Sequence, residues 1–357
     1  MKYFFKKQWI WILCFGLLTS ITITSLLVRV KYTVSTPATL TSIDTYMEIE
    51  GSESENIDIS SVSVYSFNNI SLFNYVVSKI NPFCGLEKIP ENLNTSNDYS
   101  ESQGSLHRTL SIQNSVIAAY NLAGYPLEKT FLGYCVSSIS TYHSSDIKIN
   151  EYVTKIDGIK LTEEYDPNDA IKYAKETDPT RNYVIGTVIR GTEEVELKFE
   201  YNKDNNNKIG LSFSRRYDYP IKEEYPQLDQ DLPNSYGPSA GLMQALYLYV
   251  KLKNISFPKG LKISGTGEID EFGYVGIIGS CKQKIYTAVY SDVDYFFVPI
   301  DMHYTDEKIQ EMNYLEAKEA LAFISIFKRT NLKIIPVRSL EEAVEELEKI
   351  IWFYLLF

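Results

Sequence analysis

The chain has 357 residues, more than one domain usually contains, so two folded units with accessory segments are expected. Hydrophobic residues make up 44% and charged residues 23% of the chain, a balance that excludes wholesale disorder. Residues 32–357 carry 30 Lys and Arg against 46 Asp and Glu, and we expect no nucleic acid partner because phosphate backbones bind clustered basic residues.

A run of twenty uncharged residues, 9–28, has the length that a helix needs to cross a bilayer. Three lysines and the terminal amine precede the run, whereas only Arg29 and Lys31 follow it, which places the N-terminus in the cytoplasm and the body outside. The competing interpretation is a cleaved signal peptide, but the run is long for one and no A-x-A-like site follows. We therefore expect a single-pass protein of the cell membrane that contacts the lipid bilayer through residues 9–28.

The cysteines and histidines lack the spacing of a metal centre or a disulfide framework. Outside the apolar run the cysteines are Cys84, Cys135 and Cys281, an odd set without CxxC spacing, and the three histidines are widely separated. Neither a complete GxGxxG nor GxxxxGK[ST] occurs. We expect no metal and no cofactor, and no ATP-driven motor.

Residues 32–125 alternate between predicted strands and polar segments. Period-2 stretches within 32–80 predict strands, and the polar segment 86–104 predicts a long loop. Apolar residues at helical spacing then predict an amphipathic helix over 106–122.

The sequence pattern of residues 131–201 predicts a compact unit with strands at both ends and one helix between them. Its elements are a strand at 133–136, a strand closed by an Asp157-Gly158 turn, a helix over 168–175 and a hairpin formed by 183–189 and 195–201. A further strand is predicted over 208–213, and an acidic, proline-containing linker follows over 215–232.

The order within 131–201 resembles a PDZ domain of the bacterial protease type, in which a GD.I..VNG stretch precedes a helix and a final hairpin. Asn150-Glu151 stands in place of the usual Gly-Asp. The resemblance implies binding of extended peptides, which add a strand to a sheet edge.

Residues 236–241, YGPSAG, lead directly into an apolar helical pattern. A serine before a buried helix lies at the positive end of the helix dipole, where free N–H groups can stabilise an oxyanion. An ordinary N-cap serine before a core helix gives the same pattern. The helical spacing is carried by Leu242, Ala245, Leu246, Tyr249 and Val250.

Residues 264–284 contain five glycines in a strand–turn–strand–turn pattern and end on a helix that starts near Cys281. Together with GPSAG, this segment resembles the proteolytic domain of the Lon family. The closer resemblance is to the membrane-anchored PDZ-containing Lon-like proteases of Gram-positive bacteria, which share the order of segments and the stretch GTG.ID..G.VG.IGG...K.

The resemblance implies that Ser239 is the nucleophile, Lys284 its base, and Thr266 the residue that contacts the lysine. Two residues depart from the pattern: Ser280 replaces the second glycine of IGG, and Tyr236 stands where Lon proper has Asp.

A Ser–Lys pair needs no histidine, but its lysine must be neutral to accept the serine proton and must therefore be desolvated or lie near another cation. Lys282 and Lys284 border the same predicted helix face, so periodicity does not distinguish them. The spacing of the family pattern favours Lys284.

The predicted fold class is α+β, with an N-terminal transmembrane helix and a PDZ-like domain inserted before a Lon-type α/β proteolytic domain. The predicted segments are a transmembrane anchor (1–31), a strand-and-helix segment packing with the protease fold (32–125), the PDZ-like domain (126–205), the Lon-like proteolytic domain (206–350) and an apolar tail (351–357). The tail is too short to cross a membrane, so it docks on the body or touches the bilayer surface.

The leading functional prediction is an ATP-independent, membrane-tethered serine endopeptidase that cleaves peptides or flexible protein segments. The alternative is a catalytically decayed PDZ scaffold that binds peptides at the membrane, and a third, weaker hypothesis is a structural protein without a peptide site. The sequence leaves a homo-oligomer open and does not identify the substrate.

Overall fold

The computed structural model describes residues 2–231 and 237–356, which form a mixed α+β protein. Its helices are α1 (Lys2–Leu27), α2 (Leu72–Ile80), α3 (Asn97–Ala123), α4 (Pro167–Thr177), α5 (Gly241–Leu252), α6 (Cys281–Tyr290), α7 (Glu307–Gln310), α8 (Met312–Ile324) and α9 (Leu340–Leu356). Its strands are β1 (Tyr32–Ser42), β2 (Met47–Ile49), β3 (Asp58–Phe67), β4 (Gly85–Lys88), β5 (Thr130–Ile139), β6 (Tyr152–Ile156), β7 (Ile159–Lys160), β8 (Tyr183–Arg190), β9 (Glu193–Glu200), β10 (Leu211–Asp218), β11 (Leu228–Gln230), β12 (Lys262–Gly265), β13 (Glu268–Ile269), β14 (Val275–Gly276), β15 (Tyr295–Pro299) and β16 (Lys333–Val337).

The N-terminal helix α1 contains the segment Gln8–Leu27, whose mean hydropathy of 2.1 and length are sufficient to cross a membrane. None of this segment is buried by the rest of the protein. An apolar helix without a protein partner is stable in a bilayer rather than in water.

A six-stranded sheet with the order β16-β15-β12-β3-β1-β4 forms the centre of the body. Its strands β3, β12, β15 and β16 are parallel neighbours, whereas β1 is antiparallel to both β3 and β4. Consecutive residues of β15 face opposite sides: Phe297 packs with the apolar residues of α5, and Phe296 and Val298 pack with those of α6 and α8. The sheet is therefore covered by helices on both faces, as parallel sheets usually are.

A second, antiparallel sheet has the order β10-β5-β6-β8-β9, with β7 paired to β6. Its own apolar core includes Val153, Val184 and Phe199, and the residue Ala170 of α4 joins this core. Strand β10 lies at the edge of the sheet and pairs only with β5 among the described residues.

The structure differs from the sequence predictions in three segments. The predicted loop over 86–104 is helical from Asn97 onward, because side chains of the first turns of α3 bind the second sheet: the Tyr99 hydroxyl accepts a hydrogen bond from Ile139 N, and Gln103 donates to Ser137 O. Residues 72–80 form α2, although strands were the predicted elements within 32–80. The predicted linker over 215–232 is partly strand, since β10 continues to Asp218 and β11 pairs with β2.

Candidate active site

The segment before α5 brings Ser239 to the edge of the apolar core. Gly237 has a φ of +104°, a conformation that side chains rarely adopt, and Ala240 is the N-cap of α5. A Cβ atom on Gly241 would lie 2.8 Å from Ile269 Cγ2, so only glycine fits where α5 begins. Ser239 is half-buried, and Gly241 at the end of its segment lies against Ile269 of β13.

Polar side chains of helix α3 form hydrogen bonds with this segment and with the start of α5. The Ser111 hydroxyl lies 3.2 Å from Pro238 O and 3.0 Å from Gln244 Oε1, and the Ser115 hydroxyl donates to Gly241 O at 2.9 Å. These contacts fix the backbone on both sides of Ser239.

Lys284 lies on α6 with 2% of its surface exposed, and its Nζ donates a hydrogen bond of 2.8 Å to Thr266 Oγ1. The Thr266 hydroxyl in turn donates to Ser239 O at 3.1 Å, and Gly267 N donates to the same oxygen at 2.9 Å. The structure thus brings together the three residues of the predicted site, Ser239, Thr266 and Lys284, through a chain of hydrogen bonds.

Burial lowers the pKa of Lys284 to about 8, because the ammonium loses its hydration, while Cys281 and Glu268 act in the opposite direction. At this pKa, about half of the lysine is neutral at pH 8 and about a tenth at pH 7. No carboxylate of the described residues forms an ion pair with Lys284.

Lys282 has a different environment although it lies on the same helix. Its Nζ forms an ion pair of 2.7 Å with Glu319 Oε2 near the surface, and hydrogen bonding to that carboxylate raises the lysine pKa. Of the two lysines that periodicity does not distinguish, Lys284 is therefore the one held in an environment that favours the neutral amine.

The N–H groups at the start of α5 are not all available to an oxyanion. Gly241 N donates to Pro238 O at 3.2 Å, and Leu242 N donates to Gly267 O at 3.1 Å. Within residues 2–231 and 237–356, the backbone N–H groups of Ser239 and Ala240 have no hydrogen-bond partner. The amides of Ser239 and Ala240 are therefore available as donors.

A cleft of about 370 Å³ opens beside the serine segment, between the second sheet, α3 and β13. Glu268 borders it next to Lys284; the residue as a whole is exposed, but desolvation of its carboxylate raises its pKa to about 7. Asp301 adds to this increase, and Lys284 opposes it. The side chains lining the cleft include Ser111, Asn114, Pro238, Glu268 and, from β10, Phe213 and Arg215.

The residues that join the second sheet to the segments beside Ser239 were not identified from the sequence. The nearly buried Glu271 pairs with Arg215 at 3.1 Å and accepts a hydrogen bond of 3.0 Å from the Tyr217 hydroxyl. Asn114 of α3 donates to Ile269 O at 2.9 Å. One signal was present: the residues of α3 from Ser111 to Ser115 are mostly polar although they lie in a helix with an apolar face.

The two departures from the family pattern differ in what the structure shows. Ser280 is the N-cap of α6 with a φ of +57°, a left-handed conformation in which glycine is unstrained and serine is not. Tyr236 lies outside the described residues.

Within the described residues, no group of three or more His, Cys, Asp or Glu is placed to hold a metal ion. Comparison of the sequence with models of known protein families gave no match, and no curated protein matched the chain.

Proposed function

We propose that the protein is a membrane-tethered, extracytoplasmic serine endopeptidase in which Ser239 is the nucleophile and Lys284 the base. The observation that carries the proposal is Lys284 itself, buried without a carboxylate partner and bonded through Thr266 to the backbone of Ser239. An unpaired buried cation destabilises a fold, so a lysine in this position is better explained by catalysis than by structure.

The reaction follows from these positions. Neutral Lys284 accepts the proton of the Ser239 hydroxyl as Oγ attacks the substrate carbonyl, and the N–H groups of Ser239 and Ala240 stabilise the oxyanion. The lysine then gives its proton to the leaving amine, which leaves an acyl ester on Ser239. Water attacks the ester with Lys284 as base, and the carboxylic acid is released. Thr266 positions the lysine and exchanges no atom with the substrate.

The edge of β10 offers a way to guide a peptide into this site. Gln113 of α3 donates to Arg215 O at 3.2 Å and accepts from Tyr217 N at 3.0 Å, so alternate peptide groups of β10 point away from β5. Leu211 and Phe213 share this orientation, and no other part of the described chain binds their outward peptide groups. This free edge suits an added peptide strand, as the resemblance to PDZ domains implies.

A second cleft, of about 630 Å³, lies at the start of β10 beside α4. Its charged lining residues are Lys172, Lys175 and Lys208, with no carboxylate among the residues that line it, although the protein as a whole is acidic. A peptide antiparallel to β10 would place its terminal carboxylate among these lysines and its preceding residues towards Arg215 and Pro238, where the first cleft begins.

A serine-reactive fluorophosphonate probe tests the proposal on the full chain in membranes. We expect labelling of the unaltered protein and none of Ser239→Ala, together with cleavage of an unstructured peptide mixture that both Ser239→Ala and Lys284→Ala abolish. Equal labelling of the unaltered protein and Ser239→Ala would rule out Ser239 as the nucleophile.

The second candidate function is a peptide-binding scaffold that has lost catalysis, and the strained conformation of Ser280 beside α6 favours it. A protein that binds peptides with free carboxyl ends, but neither reacts with the probe nor cleaves any of them, would fit the scaffold and not the protease.

A further inference from the structure

Helix α2 exposes its apolar side chains, together with Asn74 and Lys79, and turns Ser78 towards the protein. Its residues Leu72, Phe73, Val76, Val77 and Ile80 are all exposed, Ile80 to 79%, whereas the N-cap Ser71 and Ser78 are buried. At 100° per residue the five apolar side chains fall within an arc of about 140°. A helix on the surface of a water-soluble domain has the opposite arrangement, so this face is suited to an apolar surrounding.

The backbone attaches α2 directly to the end of the apolar helix α1. Val30 N donates to Ile70 O at 2.9 Å, and Leu72 N donates to Val28 O at 2.8 Å. The rings of Tyr32 and Tyr75 lie 4.8 Å apart between the two segments. Helix α2 therefore begins beside the end of the helix that is long and apolar enough to cross a membrane.

The residues around α2 are those that occur where a protein meets a bilayer surface. Tyr65 and Phe67, at the end of β3, are both more than half exposed. Lys79 is the charged residue of α2, and its amine lies 5.8 Å from the Tyr75 ring. Aromatic rings and flexible lysines are enriched at the polar boundary of membranes.

We propose that α2 is a second membrane contact, which lies in the outer interface of the bilayer that α1 crosses, with its five apolar side chains at the acyl boundary. Lipid, rather than a second copy of the chain, is the occupant because backbone hydrogen bonds hold the start of α2 against the end of the apolar, unburied helix α1. The proposal does not rest on the catalytic function.

Two attachment points would fix the body relative to the membrane. A single helix followed by a flexible joint lets a domain rotate freely, whereas a surface helix bonded to the end of the anchor sets its tilt. Strands β1 and β3 adjoin α2 and belong to the central sheet. The sheet and the cleft beside Ser239 would therefore keep a constant height above the lipid.

Lipid-borne quenchers test the placement in the full chain, reconstituted in vesicles of phosphatidylcholine and phosphatidylglycerol. Cys14 and Cys84 are replaced by serine, since Cys135 and Cys281 are buried, and an environment-sensitive fluorophore is attached to a new cysteine at Val76→Cys or Ile80→Cys. The matched controls are Asn74→Cys on the opposite side of the same helix and Tyr173→Cys, an exposed position on α4.

We expect nitroxides near the top of the acyl chain to quench the probes at positions 76 and 80 at least threefold more than those at 74 and 173, with blue-shifted emission. Equal quenching at positions 76 and 173 would overturn the proposal. A blue shift at 76 that depends on protein density and is insensitive to the nitroxide lipids would assign the face to a second copy instead, which also overturns it.

Discussion

The Lys284 amine donates to the Thr266 hydroxyl at 2.8 Å, and both side chains are removed from bulk water. The Thr266 hydroxyl donates a hydrogen bond to Ser239 O, so one hydroxyl connects α6 to the segment before α5. A buried lysine whose partner is neutral is held closer to its uncharged form than one paired with a carboxylate.

Replacement of Lys284 should abolish peptide hydrolysis as completely as replacement of Ser239, because members of one catalytic unit do not contribute additively. Lys284→Ala and Lys284→Arg should both be inactive, since guanidinium stays protonated in proteins. The matched control is Lys282→Ala, which removes an ion pair near the surface and should retain most activity. Rates of cleavage of a fluorogenic peptide would measure this. An active Lys284→Ala with an inactive Lys282→Ala would exchange their roles, and activity in both would refute the dyad.

Activity should rise with pH through about 8, the pKa of Lys284, because the neutral amine is the working form. Above about pH 7 the Glu268 carboxylate is ionised and stabilises the Lys284 ammonium, so it should oppose loss of the lysine proton. Below about pH 7 the carboxyl group is protonated, and this effect should be weaker. In Glu268→Gln the lysine pKa should fall, and kcat/KM at pH 7 should increase severalfold while the plateau at high pH is unchanged. A pH–rate profile that does not move in Glu268→Gln would show that the two groups do not interact.

Lys284→Met should raise the free energy of unfolding at neutral pH. The difference between an ordinary lysine pKa of 10.5 and about 8 corresponds to about 3 kcal/mol, a cost that the folded chain bears in full below pH 8, where both states hold the proton. Between pH 8 and 10.5 only the unfolded chain holds it, so the cost shrinks as pH rises and is absent above that range. Denaturant titrations in detergent at pH 7 and pH 10 would measure the difference. An equal gain at both pH values would show that packing, and not charge burial, is responsible.

Ser280→Gly should stabilise the protein by about 1 kcal/mol, because the left-handed conformation at φ +57° costs a side-chain-bearing residue about that much. Ser291→Gly is the matched control, since Ser291 follows the other end of α6 with a φ of −96° and should gain nothing. Thermal unfolding of the two variants would separate these outcomes. A loss of stability in Ser280→Gly would mean that the serine side chain makes a compensating contact.

Removing positive charge from the second cleft, which is lined by Lys172, Lys175 and Lys208, should weaken recognition of peptides that carry a free terminal carboxylate. In Lys172→Gln combined with Lys208→Gln, we expect KM for such a peptide to rise about tenfold, with kcat nearly unchanged, because neither side chain lines the cleft beside the Ser239 segment. The amidated form of the same peptide serves as the control and should respond little. If both forms are affected equally, the cleft acts through general charge rather than by binding a carboxylate.

Local sequence patterns predicted the elements that pack by ordinary periodicity. The hairpin formed by 183–189 and 195–201 and the helix over 168–175 were expected, and the structure contains β8, β9 and α4 at these positions. Helix α2 was not expected because its apolar side chains do not face a protein core, and the early turns of α3 were not expected because distant residues of β5 stabilise them. Periodicity could not distinguish Lys284 from Lys282 because it does not contain burial; the spacing of the family pattern favoured Lys284, and the structure buries that lysine.

The pairing of β3 with β12 joins residues such as Ile59 and Ile263, which are about 200 positions apart in the chain. Strand β3 therefore cannot pair with β12 until the later residues have been made. The second sheet has its own core and ends at Asp218, so it can be completed before that pairing forms. If the chain is threaded across a membrane from its N-terminus, one side of β3 stays unpaired until residues 262–265 arrive. An unpaired strand edge invites association with other chains, so assembly of this protein should depend on how fast its second half is delivered.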